Sequence, residues 1–503
     1  MGGGDPLLEL DVEDVRRYRT RYGAVDALAL SVQYNATFQE AASSAHLAPG
    51  ETPEFVRTLF HETTHLYQML TTPYGYYYYT LRAFQVRQTL SLLRLLKDEH
   101  RLRVQVPLLG FIERLEPRER YRDVWGVFYL WYLAEMVLLY FEGEWDVWSR
   151  QATRNRVLQP ASFVTYFTRL NLYLNQFNQL TGRDTVVAPG PVITELSDVA
   201  KREEEMWISF RASIGVPTDV IGVLESGAKV AEHWRDEGDD LGALSARLTS
   251  GPIPQPEYYA MLQIMHESFG FKSIRELVLT YSALCELALY APLLPHHQAL
   301  RPHEDLSLLS MSPSTRLMLM FTTARKVQRV RDLEADYQRF HDDVCGALGW
   351  PTPLQMSRQA AARQPDGDDA ITRLYYRAQE LRLGSPHAFV DLAVWYDGSP
   401  SPFAGEITRS YVHPVMEFRD KVLFHQDKQV VRDFVFNYLL TTYLRKLLLT
   451  GKLELTLPYR STEGEARLWQ DNLADFLAQA GIERARVTVR PGTGATHLEP
   501  APS

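Results

Sequence analysis

Apolar positions recur along most of this chain at helical spacing, and the pattern predicts a mainly α protein with a small α/β appendix at its C-terminal end. From Val12 to about Arg150 helices dominate. The best-defined start lies in PGETPEFVRTLFHETTHLYQML, where Thr52 is placed to cap, Pro53 to take the first position and Glu54 to sit in the dipole-favoured first turn. Phe55, Leu59, Leu66 and Leu70 then share a face, and Pro73 marks the stop. YGYYYYTLRAFQVRQTLSLLRLLKDEH and WGVFYLWYLAEMVLLYFEGEW read as two further helices, the second apolar on all sides as befits a buried one.

A Tyr/Phe/Asn-rich helical segment, SFVTYFTRLNLYLNQFNQL, precedes DTVVAPGPVITELS, whose prolines and β-branched residues suggest loop or short strand. Helices resume with KREEEMWISFRASIG, VPTDVIGVLESGAKVAEHWRDE, EYYAMLQIMHESFG and IRELVLTYSALCELALYAPLL. Residues 350–369 carry two early prolines and a PDGDD turn, which predicts a linker or exposed excursion. The expected organisation is therefore a helix-rich core over 1–349, that linker, a helical region over 370–449 with a long helix from Pro414 to Leu449, a strand–helix–strand segment over 450–490 and a disordered tail over 491–503.

Composition narrows the class. Hydrophobic residues make up 45% and charged residues 23% of 503 positions, a globular balance rather than a disordered one. A net charge of -9 argues against a nucleic-acid coat or an anionic-membrane binder. No apolar run reaches membrane-spanning length without charges, and the acidic start MGGGDPLLELDVEDVRRYR lacks the features of a secretion signal. The two cysteines, Cys285 and Cys345, form neither a disulfide framework nor a thiolate-rich metal site, which suits a reducing cytoplasm.

The chemistry concentrates in His61-Glu62-Thr63-Thr64-His65, an HExxH motif. On a helix the two histidines lie one turn apart on one face and can offer two imidazole nitrogens to one metal, zinc by default, while Glu62 can act as general base toward water. Composition gives about 0.02 to 0.03 chance occurrences of such a motif in a chain of this length. A third ligand must come from elsewhere. Glu225 is the first choice, because an apolar stretch precedes it and small residues that permit close helix approach follow, with Glu232 on about the same face as a second carboxylate. Glu135 and Glu286, each set among apolar neighbours, are alternatives, and His266 is a further one. Tyr67, His233, His266 and the Tyr74 to Tyr79 group are candidate donors to a developing oxyanion, whereas His413 and His425 read as solvent-exposed.

These residues resemble the zincin metallopeptidases, and in particular the gluzincins, in which a helical HExxH is completed by a Glu from a later helix. The resemblance covers the active-site core only. It implies a multi-helix zincin-like fold with His61 and His65 as zinc ligands, Glu62 as general base and Glu225 as third ligand. His65 is followed by Leu-Tyr-Gln-Met-Leu, so the longer metzincin signature is absent. The expected function is a zinc-dependent hydrolase cleaving a peptide or amide bond, in a peptide or an amide-containing small molecule. Two alternatives are a non-haem Fe(II) enzyme, since two His and one carboxylate also bind Fe2+, and a catalytically silent helical binding or scaffold protein.

Overall fold

The computed structural model describes residues 23–26, 31–34, 37, 39, 54–96, 108–112, 114–142, 169–170, 220–237, 240–250, 256–293, 312–362, 370–387, 415–418, 422–424, 454–460, 462–478, 481 and 488–492. In chain order the helices are α1 (Glu54–Thr71), α2 (Pro73–Leu95), α3 (Leu108–Ile112), α4 (Arg122–Glu142), α5 (Val220–Glu237), α6 (Gly242–Thr249) and α7 (Pro256–Phe269). They continue with α8 (Ile274–Leu289), α9 (Pro313–Ala324), α10 (Leu333–Leu348), α11 (Pro353–Ala361), α12 (Ala370–Arg382) and α13 (Glu463–Ala478). The strands are β1 (Gly23–Asp26), β2 (Ser31–Tyr34), β3 (Val415–Glu417), β4 (Val422–Phe424), β5 (Glu454–Arg460) and β6 (Thr488–Gly492). The described residues are mainly helical, and none of their helices is long and apolar enough to cross a membrane.

Two units emerge from the chain's contacts: Met1–Glu62, Arg82–Ala134 and His413–Ser503 form one, and Thr63–Leu81 and Glu135–Val412 the other. In the first, β1 pairs antiparallel with β2, β2 parallel with β3, and β3 antiparallel with β4. The second small sheet is a parallel pair, β5 and β6, with α13 crossing between them and packing Leu473, Ala474 and Leu477 into the interior beside Val489. A parallel pair needs such a crossover, and a helix is the usual one.

α8 is the axis of the second unit. Every residue from Glu276 to Leu289 is buried, and α5, α7, α9 and α10 pack on it. Its ends are chemically fixed: Ser273 Oγ accepts from Glu276 N–H at 3.1 Å at the start, and the buried Arg316 donates Nε and Nη2 to the Leu287 carbonyl at 3.1 and 3.0 Å near the finish. Both devices satisfy backbone groups that a helix leaves unpaired at its ends.

Three sequence expectations need correction. Helices dominate the described residues of the N-terminal region as expected, with strands at 23–26 and 31–34 ahead of them, whereas the long helix expected from Pro414 begins instead as β3 and β4. Strands of three or four residues are too short to display an alternating period, and the β2–β3 pairing that joins the two hairpins is with distant chain. Residues 350–369 are not simply a linker: Thr352 and Gln355 form a reciprocal capping box, Pro353 opens α11, and Met356, Ser357 and Ala360 are buried. Proline at the first helical position is a start signal as much as a break. The tail expected over 491–503 starts too early, since Pro491 and Gly492 close β6; Thr52 and Pro53, residues 162–180 apart from 169–170, the 184–197 loop, His413, His425 and residues 493–503 lie outside the described residues.

In the run of tyrosines on α2, Tyr74, Tyr76 and Tyr77 pack as core while Tyr78 and Tyr79 are half-buried. Tyr76 stacks on Tyr375 at 4.4 Å between ring centroids and its hydroxyl meets Thr372 Oγ1 at 3.0 Å, while Tyr74 and Tyr77 set their rings against the edge or face of Phe141. Burial pushes the Tyr77 hydroxyl's pKa well above its usual range, so it stays neutral.

Candidate metal centre

From His61 onward α1 is buried round most of its circumference. His61, Glu62, Thr64 and Gln68 are buried alongside Leu66, Tyr67, Met69 and Leu70. Burying that many polar side chains on two turns of one helix costs free energy unless each finds a hydrogen bond or a ligand. The two threonines that end the helix turn inward on it: Thr71 Oγ1 donates to the Tyr67 carbonyl at 2.7 Å and Thr72 Oγ1 to the Gln68 carbonyl at 2.5 Å. The Thr71 carbonyl itself receives Tyr290 OH at 2.9 Å and Gln379 Nε2 at 2.7 Å. Gly75 opens the way into α2, since a Cβ there would stand 2.2 Å from the Met69 carbonyl oxygen.

α5 supplies the carboxylate. Glu225 Oε2 lies 3.3 Å from His65 Nε2, and the ligand atoms of His61, His65 and Glu225 all fall within 4.8 Å of one another. Zinc holds nitrogen and oxygen donors at about 2.0–2.2 Å in a tetrahedron, which sets neighbouring donors about 3.4 Å apart. The donor set and its spacing therefore fit a metal ion. His65 and Glu225 keep 12% and 9% of their side-chain surface exposed, so the edge of the cluster is reachable by water or a small group.

Hydrogen bonding decides which nitrogen of His65 faces Glu225. The Leu224 carbonyl can only accept, so the Gln68 atom 3.1 Å from it is the amide nitrogen. Gln68 Oε1 is then the atom 2.8 Å from His65 Nδ1, and Nδ1–H must donate to it. In the neutral ring His65 Nε2 then presents a lone pair to a carboxylate oxygen. Two acceptors at that distance are held together only by a shared cation, whether proton or metal ion.

The turn bearing Glu225 is fixed from both sides. Leu224 is bound by Gln68, and Ser226 Oγ sits 2.6 Å from Tyr281 OH on α8 while also reaching the Gly222 carbonyl at 2.5 Å. Burial raises the Tyr281 hydroxyl and pushes the Cys285 thiol up to about 12, so both stay protonated beside the carboxylate's helix.

Other candidates occupy different places. Glu286 is fully buried but pairs with Arg382, accepts Tyr337 OH at 2.6 Å and has His341 Nε2 at 4.0 Å. Glu232 is paired with Lys229 at 2.5 Å, His233 Nε2 meets Tyr259 OH at 3.0 Å, and Glu135 is half-buried on α4. Among the described residues only His61, His65 and Glu225 form a cluster able to hold a metal. The sequence reading passed over Gln68. The available signal was position: Gln68 follows His65 by three residues, one turn along the same face.

Compared with family models, with curated proteins and with solved structures, the chain matches none.

Proposed function

We propose that the protein is a zinc-dependent hydrolase that cleaves a peptide or amide bond, with His61, His65 and Glu225 holding the ion and Glu62 acting as general base. The observation that carries this is the convergence of three donor atoms within 4.8 Å, two of them on the helix that also bears Glu62 and the third on α5. A divalent cation bound there supplies Lewis-acid polarisation of a carbonyl and acidifies water. Glu62 takes the proton of the attacking water on its carboxylate and delivers it to the departing amine nitrogen, as the new C–O bond forms and the C–N bond breaks. Its burial limits competition from bulk water for that proton.

Metal analysis by inductively coupled plasma mass spectrometry on the full chain tests the proposal, with the His61→Ala/His65→Ala variant alongside. About one zinc per chain, lost in the double variant, is the expected result. Glu62→Gln should keep the zinc and lose about 10²–10⁴-fold in amide hydrolysis on a peptide library. Iron at this site would redirect the chemistry to oxygen, and folded protein without metal would overturn the proposal in favour of a binding role.

A further inference from the structure

Resting on the metal assignment above, we propose that Gln68 is a positioning residue that selects the ligating nitrogen of His65 and locks the two metal-binding helices in register. Gln68 has no exposed surface, so both ends of its amide must be satisfied by protein. One end accepts from His65 Nδ1–H and the other donates to the Leu224 carbonyl, the backbone group next to Glu225. A single side chain thereby fixes the ring orientation of one ligand and the position of the residue preceding another. Metal-binding histidines gain basicity and a defined tautomer from an acceptor on the far ring nitrogen, and here that acceptor comes from the same helix as the ligand.

Gly227 leaves room for this bridge. A Cβ at that position would lie 3.0 Å from Gln68 Nε2, tighter than an ordinary contact, while its next neighbours, Cβ and Sγ of Cys285, would be at a comfortable 3.7 and 3.8 Å. Substitution with alanine therefore presses on the Gln68 amide and on little else. The glycine two positions after Glu225 serves the ligand geometry as well as helix packing.

Zinc affinity, measured on the full chain by competition with a chromophoric chelator, tests the assignment in three variants. Gln68→Met keeps the length of the side chain without its hydrogen bonds and should weaken binding about 10–100-fold. Gln68→Glu restores an acceptor for Nδ1–H but not the donor to the Leu224 carbonyl, and should recover only part of that loss. Gly227→Ala should lower affinity in the same direction while the melting temperature of the metal-free protein holds or rises, because alanine is the better helix former. Wild-type affinity in Gln68→Met overturns the proposal. So does equal loss in Gln68→Met and Gln68→Glu with a parallel fall in metal-free stability, which marks a purely structural glutamine. If the wild type binds no zinc, there is no affinity to compare, and the metal assignment falls first and takes this one with it.

Discussion

Glu225 and Glu286 are both buried glutamates on helices of the second unit, and exchanging their side chains for neutral ones should have opposite consequences. Glu286 has no exposed surface and Arg382 only 2%, and the pair is completed by Tyr337 OH at 2.6 Å and by the Arg382 guanidinium lying 4.5 Å over the Tyr290 ring. Removing one partner of such a pair strands the other charge in the interior at a cost of about 3–5 kcal/mol. Glu286→Leu should therefore lose about that much stability, while the zinc stoichiometry of the protein that remains folded is unchanged. Glu286→Leu combined with Arg382→Met removes both charges and should recover most of the loss, since a packed apolar pair can substitute for a buried ion pair. Glu225→Gln should do the reverse, retaining stability to within about 1 kcal/mol in metal-free protein and losing zinc. Urea unfolding followed by hydrogen exchange in α8 and α12 localises the stability change. A loss below about 1 kcal/mol in Glu286→Leu, or no recovery in the double variant, refutes the stranded-charge account.

Two further outcomes follow from the same unit. Burial pulls the His341 imidazole from 6.5 down to about 3, and its Nε2–H donates to the Ala283 carbonyl at 3.2 Å, with Tyr337 and Glu286 as its ionisable neighbours. The unfolded chain takes up this proton first, so the stability due to neutral His341 is complete above about pH 6.5 and is lost as pH falls toward 3. His341→Gln should flatten the unfolding midpoint against pH in that window, and an unaltered slope would count against it. Thr352→Ala opens the capping box of α11 and should cost about 1 kcal/mol, read as faster amide exchange in that helix with α5 unaffected.

What could be read from sequence depended on the range of the interaction. The HExxH helix announced itself because its donors lie one turn apart and its neighbours repeat at helical spacing. Glu225 stood out for the Ser-Gly-Ala that follows it, a local sign of close helix approach. Glu286 was an alternative for its apolar neighbours, and what sets it apart is Arg382, which no local pattern connects to it. Gln68 went unremarked because a helical glutamine is ordinarily solvated, and its burial depends on the Leu224 carbonyl at sequence separation 156. The short strands failed for a related reason: β2 finds β3 nearly at the other end of the chain, and neither has the length to show a period.

The clamp on the Thr71 carbonyl ties the proposed metal centre to distant parts of the gene product. Tyr290 and Gln379 hold the last turn of the motif helix from 219 and 308 residues further on, and Ser357 Oγ steadies Gln379 Oε1 at 2.8 Å. A fragment stopping after α5 would include every residue named as a ligand or base, yet its motif helix would end in an unanswered buried carbonyl. The centre is thus short in sequence but long in dependence, and transplanting it to another scaffold means carrying α8, α11 and α12 as well as the motif.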